Sequence, residues 1–404
     1  MLAYIETNDE RLCCGCRACE QICPVNAITM EINEEGFLYP FLNRTKCISC
    51  NLCEKCCPMM NMPKESYPLS IYAVQHKDEE VLNNSSSGGV FRLAADTILE
   101  LGGCVVGCRW DNNYHPVFSI ANSTEDLLNM QGSKYLSSDT LDIYKQTKEK
   151  LIHNKYVLFT GAPCQCAGLL NFLDDEYDNL FVADFLCHGM PSQTAFDSHL
   201  NDLCINLNGN KKNIDKSIIT SYKFRDKSKK GWGHVISYTW EKNNKVFKRY
   251  KTGMLDDYDV AFLKGYLNRY SCYKCPFRGE QQISDITFSD YWGVQYFHPE
   301  IDASKGVSAL SINSAKGMEL FNRFKHKALC IETDRENVAK ENPGLLFASE
   351  EEIPELRYEI YKILKNYRMS EVAKKYFRDN KYWMYKIINI MPQSIINLIK
   401  KVIH

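Results

Sequence analysis

No run of eighteen apolar residues occurs in these 404 residues, so no segment has the character of a membrane-spanning helix. An excess of charge is missing too. The 49 basic and 50 acidic side chains leave a net charge of −1, which removes any whole-chain electrostatic case for nucleic acid. Met1 to Leu12 carries Glu6, Asp9 and Glu10 where a secretory signal needs an apolar stretch, so the expected location is the cytoplasm. Histidine is scarce, at 9 residues, which leaves few candidates for acid–base work. The apolar share of 45% and charged share of 25% exclude a largely disordered chain. The length suits two or three folded units.

What is abundant is cysteine. There are 19, an odd number that a complete disulfide framework does not give, and in a reducing compartment thiolates in such numbers bind metal. Two runs settle the N-terminus: Cys13-x2-Cys16-x2-Cys19-x3-Cys23-Pro24 and Cys47-x2-Cys50-x2-Cys53-x3-Cys57-Pro58, an internal repeat offset by 34 residues. Each has the spacing of half a bacterial-type ferredoxin. Three cysteines on one tight loop reach three corners of a 4Fe-4S cube, while the x3 step carries the fourth away to the other cluster. The expected ligand sets are therefore Cys13, Cys16, Cys19 and Cys57 for cluster one, and Cys47, Cys50, Cys53 and Cys23 for cluster two. A pair of zinc knuckles is the rival, but zinc sites usually come as separated Cys-x2-Cys pairs. Cys14 and Cys56 are left over and are expected to be packing residues.

Met59 to Ser70, with Pro63 and Pro68, reads as a linker across which little packing is expected. It separates a 1–62 ferredoxin unit from a 71–345 unit, with a basic helical tail over 346–404. Beyond it, strand-like runs at Ile71–Gln75, Cys104–Trp110, Tyr156–Thr160 and Leu180–Phe185 alternate with helical stretches near Gly89–Leu101, Thr124–Met130, Thr140–Ile152 and Cys166–Leu173. That alternation predicts an α/β or α+β unit with its sites at strand ends. A β-hairpin is expected where His234–Glu241 turns into Val246–Lys251.

Several loops carry chemistry. Ser85-Ser86-Ser87-Gly88-Gly89 opens a helix and reads either as a phosphate seat or as a plain flexible N-cap. Gly132-Ser133-Lys134-Tyr135 adds a cation. Thr160-Gly161-Ala162-Pro163-Cys164-Gln165-Cys166 stands at a strand end. Cys187 leads into His188, and Cys272-x2-Cys275-Pro276 lies far downstream, before Ser284–Gly293. On spacing alone, a third metal site and buried structural thiols both remain open for Cys164, Cys187, Cys272 and Cys275.

These segments, with Lys305-Gly306-Val307-Ser308-Ala309-Leu310, resemble the family of coenzyme F-420 hydrogenase and dehydrogenase beta subunits, which includes 7-hydroxymethyl chlorophyll a reductase. The resemblance covers about residues 1 to 330. It implies an iron–sulfur flavoprotein: an α/β domain binding FAD, fused behind a dicluster 4Fe-4S ferredoxin domain. It maps a core 4Fe-4S cluster onto Cys164, Cys187, Cys272 and Cys275, with Cys166 as a rival to Cys164. It lines the flavin with Ser87, Gly88, Gly89, Gly132, Ser133, Lys134, Tyr135, Thr160, Gly161 and Pro163. His188 then reads as a proton donor near the flavin or as a partner of a backbone carbonyl.

The expected function is electron transfer from a ferredoxin-type donor through clusters and FAD to a small organic substrate, phosphorylated or a glycan precursor. Oxidation of reduced coenzyme F-420 and a non-catalytic electron-transfer role within a larger complex are the alternatives. Residues 211–251 hold thirteen Lys or Arg against three acidic residues, and read as a solvated hairpin or as a docking edge for an acidic donor. Lys381–His404 has four lysines, no acidic residue and Trp383, which suits either a peripheral membrane helix interrupted by Pro392 or a packed lid.

Overall fold

In the N-terminal unit the sequence repeat is also a backbone repeat. Gly15 and Ser49 have φ of 73° and 53°, and Arg17 and Asn51 have φ of 62° and 59°, each pair 34 residues apart. These left-handed residues turn each cysteine loop into a short helix, Ala18–Ile22 and Leu52–Lys55. Between the loops, β1 (Ile28–Ile32) and β2 (Leu38–Leu42) pair antiparallel.

The computed structural model describes residues 3–208, 215–343, 352–378 and 381–391. Pro392 to His404, Lys211 and Lys212 lie outside them, as do parts of the expected tail boundary near 346.

The larger unit is built on one mixed eight-stranded sheet. Its strands are β3 (Ser70–His76), β4 (Cys104–Trp110), β5 (Pro116–Ala121), β6 (Val157–Thr160) and β7 (Leu180–Phe185), joined after a separate hairpin sheet by β11 (Ile286–Asp290), β12 (Ser308–Ile312) and β13 (Ala328–Thr333). The order is β13-β3-β12-β11-β7-β6-β4-β5. The centre, β11-β7-β6-β4, is parallel, and the flanking pairings are antiparallel. Helices Val90–Glu100 and Pro163–Leu173 cover the sheet, the second starting on Pro163, whose fixed φ suits a first helical position. A three-stranded sheet of β8 (Ile219–Lys223), β9 (Val235–Lys242) and β10 (Lys245–Thr252) stands apart, its hairpin turning on Asn243 and Asn244 with φ of 53° and 56°. The molecule is thus a mixed α and β fold with a ferredoxin-like N-terminal segment.

The linker expectation needs correction. The ferredoxin unit is seated on the rest of the chain by buried polar contacts. Arg357, wholly buried, holds Glu35 through two hydrogen bonds of 2.9 and 2.6 Å. Thr140 donates to the Cys16 carbonyl at 2.9 Å, and the Tyr144 amide donates to the Gln21 side chain at 2.9 Å. A Cβ on Gly168 would lie 3.0 Å from the Cys16 sulfur, so the cysteine loop lies directly on the helix that follows Thr160. Prolines mark where the chain changes direction; they say nothing about what later folds back.

The tail also packs. Helices Glu355–Leu364 and Met369–Tyr376 contribute Ile360, Tyr361 and Val372 to the buried core. Asn389, on the helix Tyr382–Ile390, accepts hydrogen bonds from Lys230 and from the Thr252 amide on the basic hairpin, each 3.0 Å long, while Trp383 and Ile390 stay exposed. Among the described residues no helix is long and apolar enough to cross a membrane.

Candidate functional site: three cysteine sets and a cleft

The eight ferredoxin cysteines fall into two groups. One cavity is lined by Cys13, Cys16, Cys19 and Cys57, together with Cys14. Another is lined by Cys23, Cys47, Cys50 and Cys53. The crossing of Cys23 and Cys57 is therefore present in the fold. The first set is deep, with burial pushing Cys57 up to about 12. The second opens to the surface, where Cys50 and Ile48 are exposed.

A third set gathers at the ends of the parallel strands. Cys164 comes from the first turn of Pro163–Leu173, Cys187 from just beyond β7, and Cys272 and Cys275 from a short turn after Arg269. Burial, and then a neighbouring thiol, pushes Cys187, Cys272 and Cys275 each up to about 12. Buried thiols that repel one another as thiolates are stable as such only when a cation takes their charge, and coordination does this by deprotonating them outright. All 19 cysteines are free thiols. The donor chemistry of all three sets fits iron–sulfur clusters.

Two expectations about single cysteines resolve. Cys166 turns its sulfur to the carbonyls of Gly161 and Ala183, at 3.7 and 3.8 Å, so Cys164 is the member of that pair placed with the core set. Cys14 is buried in the same core cluster as Cys16 and Cys164, as a packing residue would be. Cys56 is a buried thiol donating to the Cys53 carbonyl at 3.5 Å, as a packing residue would.

Beside the core set runs a cleft of about 290 Å³, lined among others by Ser87, Gly89, Gly132, Ser133, Lys134, Tyr135, Thr160, Gly161, Cys187 and His188. Loops distant in sequence meet here: the Ser133 amide donates to the Ser86 hydroxyl at 2.9 Å, and Ser87 donates to the Val307 carbonyl at 2.8 Å. Gly89 starts the helix Val90–Glu100 with no side-chain cap, which leaves that helix end available to an anion. Two expected residues stand behind the wall instead. Pro163 is buried as the helix start. Gly88 is needed for packing, because a Cβ there would lie 2.1 Å from the Val74 carbonyl oxygen and 2.5 Å from the Ser308 amide. The sheet by itself accounts for a glycine at this position. His188 lines the cleft, and its carbonyl accepts from Asn268 at 3.2 Å.

Sequence reasoning missed the buried cations. Arg225 bonds Asp290 at 2.7 Å and the Tyr135 hydroxyl at 3.0 Å, and its guanidinium lies 5.1 Å over the Trp292 ring. Lys227 donates to the carbonyls of Ser87 and Lys305, at 2.8 and 2.7 Å, joining two loops of the cleft. Both belong to the stretch read as a basic surface, and the alternation Phe224-Arg225-Asp226-Lys227 gave no sign that all four are buried. Much of the remaining charge is paired, Lys248 with Asp226 and Lys251 with Asp256. With its uncapped helix end, buried cations and aromatic rings, the cleft fits a flavin dinucleotide.

Burial first, and Arg225 next, hold the Lys227 ammonium down at about 7 against an ordinary 10.5. The folded group thus loses its proton at lower pH than the unfolded one. Between about pH 7 and 10.5 the unfolded state binds more protons, so stability rises with pH across that window. Lys227→Met is expected to flatten this rise, measured by urea unfolding at pH 7 and pH 9.

Comparison with known proteins gives the family. Residues 7–29 match the 4Fe-4S binding domain. Residues 71–145 match the N-terminal part, and residues 154–337 the C-terminal part, of the coenzyme F420 hydrogenase/dehydrogenase beta subunit. One of the subunits of the F(420)H(2) dehydrogenase of Methanosarcina mazei is 24% identical over 172 residues, covering 38% of this chain and 46% of that protein. The chain thus spans about half the length of this relative. A solved structure of the F420-reducing NiFe hydrogenase complex from Methanosarcina barkeri aligns with a TM-score of 0.40 and 15% identity, over 76% of this chain and 91% of that one. With both halves of one family matched in order behind a 4Fe-4S motif, the chain is an iron–sulfur protein and belongs to the family of coenzyme F420 hydrogenase/dehydrogenase beta subunits.

Proposed function

We propose that this chain is an iron–sulfur flavoprotein oxidoreductase that takes electrons from a ferredoxin-type donor and delivers them to a small organic substrate. It would hold three 4Fe-4S clusters and one FAD. The observation that carries this reading is the succession of sites: a surface-opening cysteine set, a second set whose Cys16 sulfur lies against the helix that carries Cys164 of the core set, and a cleft that shares Cys187 with the core set. When bound, clusters carry electrons singly and FAD combines them for a two-electron transfer.

The chain's own groups do the rest. Cys13, Cys16, Cys19 and Cys57 hold cluster one, Cys23, Cys47, Cys50 and Cys53 cluster two, and Cys164, Cys187, Cys272 and Cys275 the core cluster. The Ser87–Gly89 and Gly132–Tyr135 loops, with Thr160 and Gly161, would seat the flavin. Lys227 ties the first loop in place, and Arg225 holds Tyr135 and Asp290 at the cleft wall. His188, which lines the cleft, would give the proton there. The exposed cation Lys229, beside Tyr250, suits a phosphorylated substrate or phosphorylated glycan precursor.

Breaking the outermost set tests the direction inward. Cys53→Ser is expected to abolish flavin reduction by a protein donor and to leave reduction by a small dye unchanged, both followed by anaerobic stopped-flow absorbance. Unimpaired reduction by the protein donor would refute the inward path. A second reading, oxidation of reduced coenzyme F-420 with electrons leaving through the clusters, is favoured by what the Methanosarcina mazei relative is called. Bleaching of the clusters on mixing with the reduced deazaflavin alone would decide for it.

A further inference from the structure

Arg269 is, with Arg357, one of the two largest fully buried side chains among the described residues, and it stands where the first ferredoxin set meets the core set. Its main chain belongs to the core turn: the Cys272 amide donates to its carbonyl at 3.0 Å, and its own amide donates to Met190 at 3.0 Å. Its side chain reaches the other way. Nε donates to the Cys13 carbonyl at 2.7 Å, and Nη2 donates to the Leu38 carbonyl at 2.8 Å and lies 3.6 Å from the Cys13 sulfur. The guanidinium sits 3.9 Å over the Tyr39 ring, and Nη1 is buried with no hydrogen-bond partner. A Cβ on Gly15 would lie 2.9 Å from Nη1, so the glycine leaves room for this cation inside the cysteine loop.

No carboxylate pairs with Arg269 among the described residues, and a buried charge without a counter-charge is strongly unfavourable. The groups that face it are Tyr39 first and then the sulfurs of Cys13, Cys14 and Cys272, of which Cys13 and Cys272 would be thiolates as cluster ligands. Burying a thiolate-ligated cluster disfavours its reduced state, because reduction adds negative charge in a medium that solvates charge poorly. Charge and burial are among the levers that set cluster potentials. The inner clusters would therefore be poor acceptors from a surface cluster unless a fixed cation offset their burial.

We propose that Arg269 tunes the two inner clusters electrostatically, its buried cation raising the reduction potentials of cluster one and the core cluster so that they accept electrons from the exposed set. The proposal rests on the three-cluster reading above and adds a residue that ligates nothing.

Potentiometric titration of the full-length protein, followed by electron paramagnetic resonance with iron counted in the same samples, tests it. In Arg269→Gln the ratio of reduced to oxidised cluster one at fixed ambient potential is expected to fall about tenfold, a shift of about 59 mV for one electron, with iron unchanged. Arg269→Lys keeps the charge and loses the two-carbonyl fork, and is expected to restore most of the lost potential. A fully iron-loaded Gln variant with unshifted potentials overturns the proposal. So does a Lys variant shifted as far as Gln. Loss of iron from both variants would assign Arg269 to structure alone and overturn it too. A wild-type protein without a core cluster would sink the three-cluster reading instead, since the cluster-one titration stands on Cys13 by itself.

Discussion

Deleting Met1 to Met62 is expected to leave a chain that no longer folds as a soluble unit. Pro63 and Pro68 invite the opposite expectation, but the contacts across the junction decide. Arg357 would lose Glu35, its bidentate partner, and breaking a buried ion pair from one side costs about 3–5 kcal/mol. Arg269 would lose the carbonyls of Cys13 and Leu38 and the cover of the Tyr39 ring. The loss at Arg357 is a large part of the stability of a typical domain, about 5–15 kcal/mol, and the apolar surface that packed on Phe37, Tyr361 with it, would be uncovered besides. Soluble yield and thermal unfolding of the truncated chain measure this. A soluble truncation with a cooperative transition and bound flavin would show the two units to be independent.

Cys272→Ser is expected to remove one cluster and leave the other two, lowering iron from about twelve to about eight per chain. The remaining eight ligands line separate cavities that do not include Cys272. Cys166→Ser should leave iron unchanged, because its sulfur faces carbonyls and not the core set. Iron and acid-labile sulfide analysis of both variants reads the difference. Full iron in Cys272→Ser would remove that residue from the core site, and iron loss in Cys166→Ser would exchange the two assignments.

The ferredoxin segment was legible because its ligands are local: spacing along the chain is spacing around the cluster, and the 34-residue offset repeats even the left-handed turns at Gly15 and Ser49. The core set was legible only as a family resemblance, since Cys164, Cys187 and the Cys272 pair come from elements brought together by the sheet. Strands β3, β4, β6 and β7 announced themselves as apolar runs between helices. Others did not. β12 is buried at every position, which leaves no alternation to see. The buried cations were hidden for a related reason. Arg225, Lys227 and Arg269 look like surface residues until a carboxylate, a carbonyl or a thiolate from far along the chain arrives beside them.

The most direct test is the composition of the intact chain, isolated without oxygen and analysed for iron, sulfide, flavin and zinc together. About twelve irons and twelve sulfides, as three 4Fe-4S clusters, are expected with one non-covalent FAD per chain. Eight irons, no flavin taken up, or stoichiometric zinc in place of iron would contradict it.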